Sequence, residues 1–304
     1  MPPVLDRRAF LGTLAVLPLA AAPAAAQDPA PSRPGPKTAK IKLSCNLYSF
    51  NEPLRRQEMT LERALDDCAE LGFDAVDPTG YYFPGYPEAP PDRFLYAIKK
   101  RAIRLGLDIS GTGVRNDFTA ADRAKREADV ALVKRWVDVA VKLGAPMVRV
   151  FAGPGAPEGH SAAETTGWVV EHLRDCAGYG AEHGVLIVLQ PHDDLLKTAG
   201  ETLAVRERIG SDWFGLNVDI GSLRTTDDPY SEIARLAAYA YTWQIKEQVY
   251  RKGAPEDVDV VRIVRILREA GYRGYIPLET LGAGDPRPKL RAFLDRVRQA
   301  LGQS

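Results

Sequence analysis

Histidine and cysteine are scarce in this chain, at four and three among 304 residues. They form no CxxC pair and no Cys/His spacing of the kind that closes a structural zinc site, which excludes a zinc-finger-like module. Four histidines also fall short of the histidine and carboxylate cluster that a nuclease with several metal ions needs. A charge excess of either sign is missing too, since 40 basic residues face 40 acidic ones. Arg7 and Arg8 against Asp6 give the first 26 residues a charge of +1, so the remainder carries −1. That balance leaves no footprint for nucleic acid or an anionic membrane. The apolar run at residues 13–21 is well short of the roughly 20 residues that cross a bilayer. After Lys40 there is no low-complexity tract and no linker that would mark a second domain. Cys45, Cys68 and Cys176 are odd in number and spread over a candidate strand and two candidate helices. They read as buried thiols, although an oxidising compartment would permit one disulfide.

The bulk composition, 45% hydrophobic and 26% charged, is that of a globular protein with a sizeable core. The N-terminus is set apart from it. Asp6-Arg7-Arg8-Ala9-Phe10-Leu11-Gly12 precedes the apolar run, and Ala24-Ala25-Ala26 offers small residues for cleavage before Gln27. This resembles a twin-arginine export signal, which would deliver the folded chain to the periplasm. A general secretory signal and an uncleaved anchor are the alternatives. The expected organisation is a signal peptide at 1–26, a Pro/Ala-rich linker at 27–40 and one folded domain at 41–304.

Four short stretches organise that domain: residues 185–192 (VLIVLQPH), 214–221 (FGLNVDIG), 241–247 (YTWQIKE) and 275–280 (YIPLET). Each is an apolar, β-branched run of strand length that ends in polar residues, and helix-length stretches separate them. Four further strands are expected at 41–50, 73–77, 107–111 and 147–151. Helices are expected at about 60–71, 92–105, 120–143, 162–183, 199–209, 230–238, 258–270 and 287–301. Eight βα units in about 260 residues predict an α/β fold, a single (β/α)8 TIM barrel. Side chains alternate along a strand, so Asn217 shares a face with Asp219, and Gln244 with Lys246. In a barrel, Gln190, Asp219, Gln244 and Glu279 converge at the C-terminal end of the strands, where such barrels carry their sites.

Loops after the strands add candidates. Tyr81 and Tyr82 lie in an aromatic, Pro/Gly-rich loop at 78–87, where tyrosines can stack on a sugar face or form a rigid lid without ligand contact. Arg149 shares a strand face with Phe151, and His160 ends a Gly/Pro loop. His192 and Asp193 follow Gln190, and Glu247 follows Lys246. A lysine desolvated beside a cation could act as base or electrostatic stabiliser; the alternative is an ion pair with a neighbouring carboxylate at the barrel bottom. Trp213, Trp243 and Tyr241 read as packing between strand and helix, and His172 and His183 as surface residues of a helix.

Through the ends of its last four strands, the chain resembles the sugar phosphate isomerase/epimerase superfamily, the xylose isomerase-like TIM barrels, over residues 41–301. The resemblance implies a divalent metal held by Glu, Asp, His and Glu, one from each strand. Asp219 (NVDIG) and Glu279 (PLET) match the Asp and the last Glu, whereas Gln190 and Gln244 stand at the first Glu and the His. The implied shell is therefore Gln190, Asp219, Gln244 and Glu279, and its hard oxygens suit manganese, magnesium or calcium better than zinc. In the family's epimerases two glutamates exchange a proton with the carbon next to a carbonyl. An amide at position 190 cannot be a base, which leaves Glu279 as the acid/base with Lys246 and His192 as auxiliaries. Tyr81, Tyr82, Arg149, His160 and Glu247 are the candidate substrate contacts.

The function implied is a metal-dependent isomerase or epimerase acting on a non-phosphorylated sugar or keto-sugar derivative, since sugar phosphates are mainly cytoplasmic and export is expected for this chain. A lyase or hydratase on 3-keto-glycosides uses the same proton abstraction, and a non-catalytic sugar-binding barrel is the remaining alternative. A carbohydrate is the expected partner, with no nucleic acid and no membrane after signal cleavage; the oligomeric state stays open.

Overall fold

The computed structural model describes residues 40–192 and 195–303. The expected signal peptide, nearly all of the linker and Asp193 lie outside the described residues. The first strand, β1 (Ile41–Asn46), is followed by a 3-10 turn over Leu47–Phe50 and by α1 (Asn51–Arg55) and α2 (Leu61–Leu71). Next come β2 (Ala75–Asp77), α3 (Asp92–Leu105), β3 (Asp108–Ile109), β4 (Thr112–Gly113), α4 (Arg123–Leu143), β5 (Met147–Val150), α5 (Ala162–His183), β6 (Leu186–Leu189), α6 (Ala199–Ile209) and β7 (Phe214–Asp219). The chain ends with α7 (Pro229–Ala237), β8 (Ala240–Lys246), β9 (Gln248–Arg251), β10 (Ala254–Asp257), α8 (Val260–Glu269), β11 (Gly274–Glu279) and α9 (Pro286–Leu301).

Nine of these strands form one sheet in the order β3-β2-β1-β11-β8-β7-β6-β5-β4, and its pairings are parallel. Its two ends are halves of one strand. β3 pairs with β2, β4 pairs with β5, and only Ser110 and Gly111 separate them. The sheet thus closes on itself through a third strand that changes partners midway, giving a (β/α)8 TIM barrel with eight strand positions. The strands read as continuous apolar runs because both faces are covered: all six residues of β7 are buried. Helix boundaries follow the local chemistry. Thr60 accepts the Arg63 amide at the start of α2, and Gly72 ends it with a left-handed φ of 86° that residues with a Cβ avoid.

Besides this split of the third strand, expected unbroken at 107–111, the structure departs from the sequence reading at four places. The first strand stops at Asn46 rather than Phe50, because the Asn46 side chain accepts the Tyr48 amide at 2.9 Å and starts the 3-10 turn. The antiparallel hairpin β9–β10 was not foreseen; its Lys252-Gly253 turn has positive φ at both residues, the geometry that matches strand twist. His172, expected at the surface, is only 6% exposed, because α4 packs on α5 and Arg126 Nε donates to His172 Nε2 at 3.2 Å. Trp213, expected to pack inside, is 38% exposed, whereas Trp243 is fully buried. The three cysteines are buried free thiols.

The aromatic loop after β2 is braced from behind. Trp136 on α4 is fully buried, donates from Nε1 to Thr112 Oγ1 at 3.1 Å and meets the Phe83 and Tyr86 rings edge to face. Gly80, beside Tyr81, lies against it. A Cβ there would come within 2.6 Å of Trp136 Cζ2 and 2.8 Å of the Gly113 carbonyl oxygen. We expect Gly80→Ala to cost about 1–3 kcal/mol by overpacking, read as a lower urea midpoint with an unchanged slope; wild-type stability would show that the loop yields freely.

Candidate active site

Strand register brings the polar residues to one floor. Asp219 on β7 stands opposite Gln244 on β8, and Lys246, two residues further along β8 on the same face, stands opposite Glu279 on β11. Gln190 follows β6, and its amide donates to the Val150 carbonyl at 2.9 Å. Arg149 rises from β5 beside it. All six side chains are buried.

Their hydrogen bonds leave little freedom. Lys246 Nζ lies 2.8 Å from Asp219 Oδ2 and 3.3 Å from Glu279 Oε1, so one ammonium bridges both carboxylates. Arg149 Nη1 donates to Gln190 Oε1 at 2.9 Å and Nη2 donates to Thr79 Oγ1 at 3.2 Å. Since a guanidinium only donates, the Gln190 atom facing it is the oxygen, and Nε2 is turned to Asp219 Oδ2 at 2.6 Å. The same logic orients Gln244. Its Nε2 donates to Glu279 Oε2, and its Oε1 accepts from Asn217 Nδ2 at 3.5 Å. Asp219 Oδ1 accepts the Gly221 amide at 2.9 Å.

Burial and charge pull the pKa values apart. For Asp219, burial works against the charge, but Lys246, His192 and the Gly221 amide outweigh it and hold the carboxyl below the ordinary carboxylate range. Burial disfavours the Lys246 charge as well, yet Asp219 and Glu279 together raise its pKa above the usual lysine value. Burial pushes Glu279 up, with Lys246 opposing and Asp219 adding to it. His192 is lowered, first by desolvation and then by Lys246, Arg149 and Arg224, with Asp219 opposing.

A cavity of about 840 Å3 opens over this floor, within the range of roughly 300–1,000 Å3 usual for small-molecule sites. Gln190, Gln244, Lys246, Glu279, Arg149 and His192 all line it, as does Tyr81, whose hydroxyl burial pushes up to about 12. Asp219 lies at the floor, bound to Lys246 and Gln190. The remaining sequence candidates sit elsewhere. The Tyr82 hydroxyl donates to Asn51 Oδ1 at 2.9 Å and its ring packs on the core. His160 pairs with Glu164 at 3.1 Å and meets the Trp168 ring edge to face. Glu247 lines an adjoining cavity of about 260 Å3, which shares Lys246 and Arg224 with the first, and pairs with Lys289 at 3.4 Å. Lys246 does form an ion pair, but at the mouth end of the barrel and not at its bottom.

Several wall residues were missed by the sequence reading. Tyr48 faces Tyr81 edge to face at 6.4 Å, and Arg115, Asp129 and Arg224 complete the wall. Asp77 ends β2 as Glu279 ends β11, so the same strand-end rule points to it. It is buried, Oδ2 accepts from Asn46 Nδ2 at 3.4 Å, and Oδ1 has no hydrogen-bond partner among the described residues. Burial raises its pKa, with Arg149 opposing. Arg115 and Asp129 carry no such signal, because a loop and a helix surface deliver them.

The four residues expected to hold a metal do converge, but as a donor set they do not fit a divalent ion. Both carboxylates face an ammonium, and both amide oxygens face Arg149 or Asn217. Near them, Asn217 Oδ1 and Asp77 Oδ1 are buried oxygens without a hydrogen-bond partner among the described residues. Among the described residues no three His, Cys, Asp or Glu side chains are grouped to take a metal.

The ion pairs set a pH dependence. Asp219, depressed below 3.8, contributes stability that is lost as pH falls through its folded value; Lys246, raised above 10.5, contributes stability that is lost as pH rises through its own. Replacing the lysine leaves two buried carboxylates without a cation. We expect Lys246→Met, in chelator, to cost about 3–5 kcal/mol at pH 7 and distinctly less near pH 4, where the carboxylates take up protons. Equal losses at both values in denaturant titrations would mean that only packing was lost.

The comparisons bear on the same barrel. Residues 65–300 match the family described as xylose isomerase-like TIM barrel. Among solved structures, D-psicose 3-epimerase with D-tagatose from Clostridium cellulolyticum H10 superposes with a TM-score of 0.72 at 16% identity, covering 86% of this chain and 99% of that one. 3-Keto-D-glucoside 4-epimerase from E. coli, in its apo form, gives 0.70 at 16% identity, covering 86% and 100%. A xylose isomerase-like TIM barrel protein from Mycobacterium smegmatis in complex with magnesium gives 0.64 at 22%, covering 87% and 98%. No curated protein matches by sequence. With the family match spanning most of the domain and the barrel closed as described, the chain belongs to the xylose isomerase-like TIM barrel family.

Proposed function

We propose that this protein is a sugar isomerase/epimerase-like enzyme acting on a non-phosphorylated sugar or keto-sugar derivative, with Glu279 removing the proton next to a carbonyl. The observation that carries the reading is a buried carboxylate fixed at the floor of a cavity of about 840 Å3, 3.3 Å from an ammonium; burial pushes its pKa up. A base poised above the ordinary carboxylate range is better matched to a weak carbon acid than an unperturbed one. Gln244 holds Oε2, which leaves Oε1 beside Lys246 as the oxygen to take the proton. The C–H bond breaks, its proton goes to Glu279, its electron pair forms the C=C bond of an enediolate and the carbonyl π electrons move to oxygen. Return of the proton to the same carbon gives solvent exchange; isomerisation follows when the neighbouring hydroxyl passes its proton to the enediolate oxygen and Glu279 delivers its proton to the former carbonyl carbon, which leaves the carbonyl at the neighbouring position. Tyr48, Tyr81 and Phe151 offer faces on which a sugar ring can rest. Structural neighbours named as sugar epimerases support the same class.

A lyase or hydratase on a 3-keto-glycoside is a second reading, and Gln190 favours it. With an amide opposite, only one floor carboxylate is free to move protons, which suits exchange on one face or elimination better than inversion between two bases. The arginine pair at Arg7-Arg8 supports action outside the cytoplasm, in the periplasm. In D2O, the wild type is expected to place deuterium next to the carbonyl of at least one member of a keto-sugar panel. Glu279→Gln should lower that rate about 10²–10⁴-fold with the melting temperature retained. Full exchange in the variant would refute the assignment. Exchange without elimination would remove the lyase, and thermal stabilisation by sugar without any exchange would indicate a binding protein.

A further inference from the structure

We propose that the Lys246 ammonium is a built-in replacement for the divalent metal that the family resemblance implies, so that the floor carries its own cation and polarises the substrate carbonyl without a metal ion. Two observations converge on it. The ammonium bridges the only two expected ligands that are still carboxylates, at 2.8 and 3.3 Å, where a divalent ion shared by them would have to lie. A second cation at that distance would meet strong repulsion in a site of low dielectric. The two remaining ligand positions are amides whose oxygens are engaged by Arg149 and Asn217, and whose nitrogens point at the carboxylates. A nitrogen bearing protons is no metal ligand. The substitution of Glu and His by two glutamines then has a purpose beyond loss. Each glutamine donates to a carboxylate of the ion pair and removes one group that a metal needs, so the glutamines and the lysine act as one unit.

Space supports the arrangement. Gly221 passes so close that a Cβ there would reach within 3.0 Å of Lys246 Cδ, and its absence lets the lysine stem lie down toward Asp219. Lys246 also lines the cavity, so one of its N–H groups can donate to an oxyanion forming above Glu279 while the others hold the carboxylates. This oxyanion role rests on the reading of Glu279 as the base; the exclusion of a metal does not, and it is tested without turnover.

The test uses the full chain, Lys246→Gln and the charge-retaining Lys246→Arg, each stripped with chelator and then given 1 mM manganese. The readouts are bound metal after desalting and the thermal midpoint. The wild type and Lys246→Arg are expected to retain no stoichiometric manganese and to show no shift. Lys246→Gln is expected to melt lower in chelator and to gain about 5 °C with manganese, as the freed carboxylates recruit an ion. Close to one manganese per wild-type chain with a matching stabilisation would overturn the proposal, whatever the enzyme assay shows. So would a folded Lys246→Gln that ignores manganese. If Lys246→Gln fails to fold, the wild-type and Lys246→Arg arms still decide the matter.

Discussion

The bridge from Lys246 to Asp219 and Glu279 is the interaction on which the rest of the site depends. Two carboxylates from neighbouring strands meet in the interior of a barrel, where an uncompensated charge is too costly to keep. One ammonium answers both, and every other floor group is oriented by that answer. Gln190 and Gln244 turn their nitrogens toward the carboxylates, and Arg149 and Asn217 take up the oxygens this leaves. The same contacts divide the roles of the two acids. Asp219, with the closer ammonium and a backbone amide, is held as a permanent anion, whereas Glu279 is pushed toward the range in which a carboxylate can give and take a proton.

Barrel register makes the bridge possible. Lys246 is two residues past Gln244, so it shares that residue's face but stands level with Glu279, while Gln244 stands level with Asp219. A slip of one residue in β8 would turn both side chains toward the helices. Above the floor, the aromatic loop is held by Trp136 from α4 and by Thr112 from β4, whose hydroxyl donates to the Pro78 carbonyl. The walls thus rest on side chains locked by packing and hydrogen bonds, the condition for a site held to tight geometry.

Much of this was legible in the sequence. The β-branched runs and helix-length spacers imply the barrel; alternation pairs Asn217 with Asp219 in NVDIG and Gln244 with Lys246 in YTWQIKE, and closure of the barrel brings the two pairs together. What was not legible has physical causes. The third strand switches partners at Ser110-Gly111, and no local pattern announces a change of neighbour. The hairpin at residues 248–257 is short, polar and mostly exposed, so it lacks the alternation that marks a strand against a core. His160 and Glu247 sit next to site segments in sequence but point to their own partners, Glu164 and Lys289. Above all, the direction of an amide hydrogen bond depends on which donors face it from other strands. The lysine therefore read as an auxiliary, and the two glutamines as weak ligands, until Arg149 and Asn217 were placed beside them.

The most direct measurement is an anomalous diffraction map at the manganese edge from crystals of the wild-type protein grown with manganese. The Lys246 nitrogen is expected between Asp219 and Glu279, within hydrogen-bonding distance of both, with no anomalous peak at that position. A manganese peak bound by the two carboxylates, with the Lys246 side chain displaced toward the cavity, would contradict it.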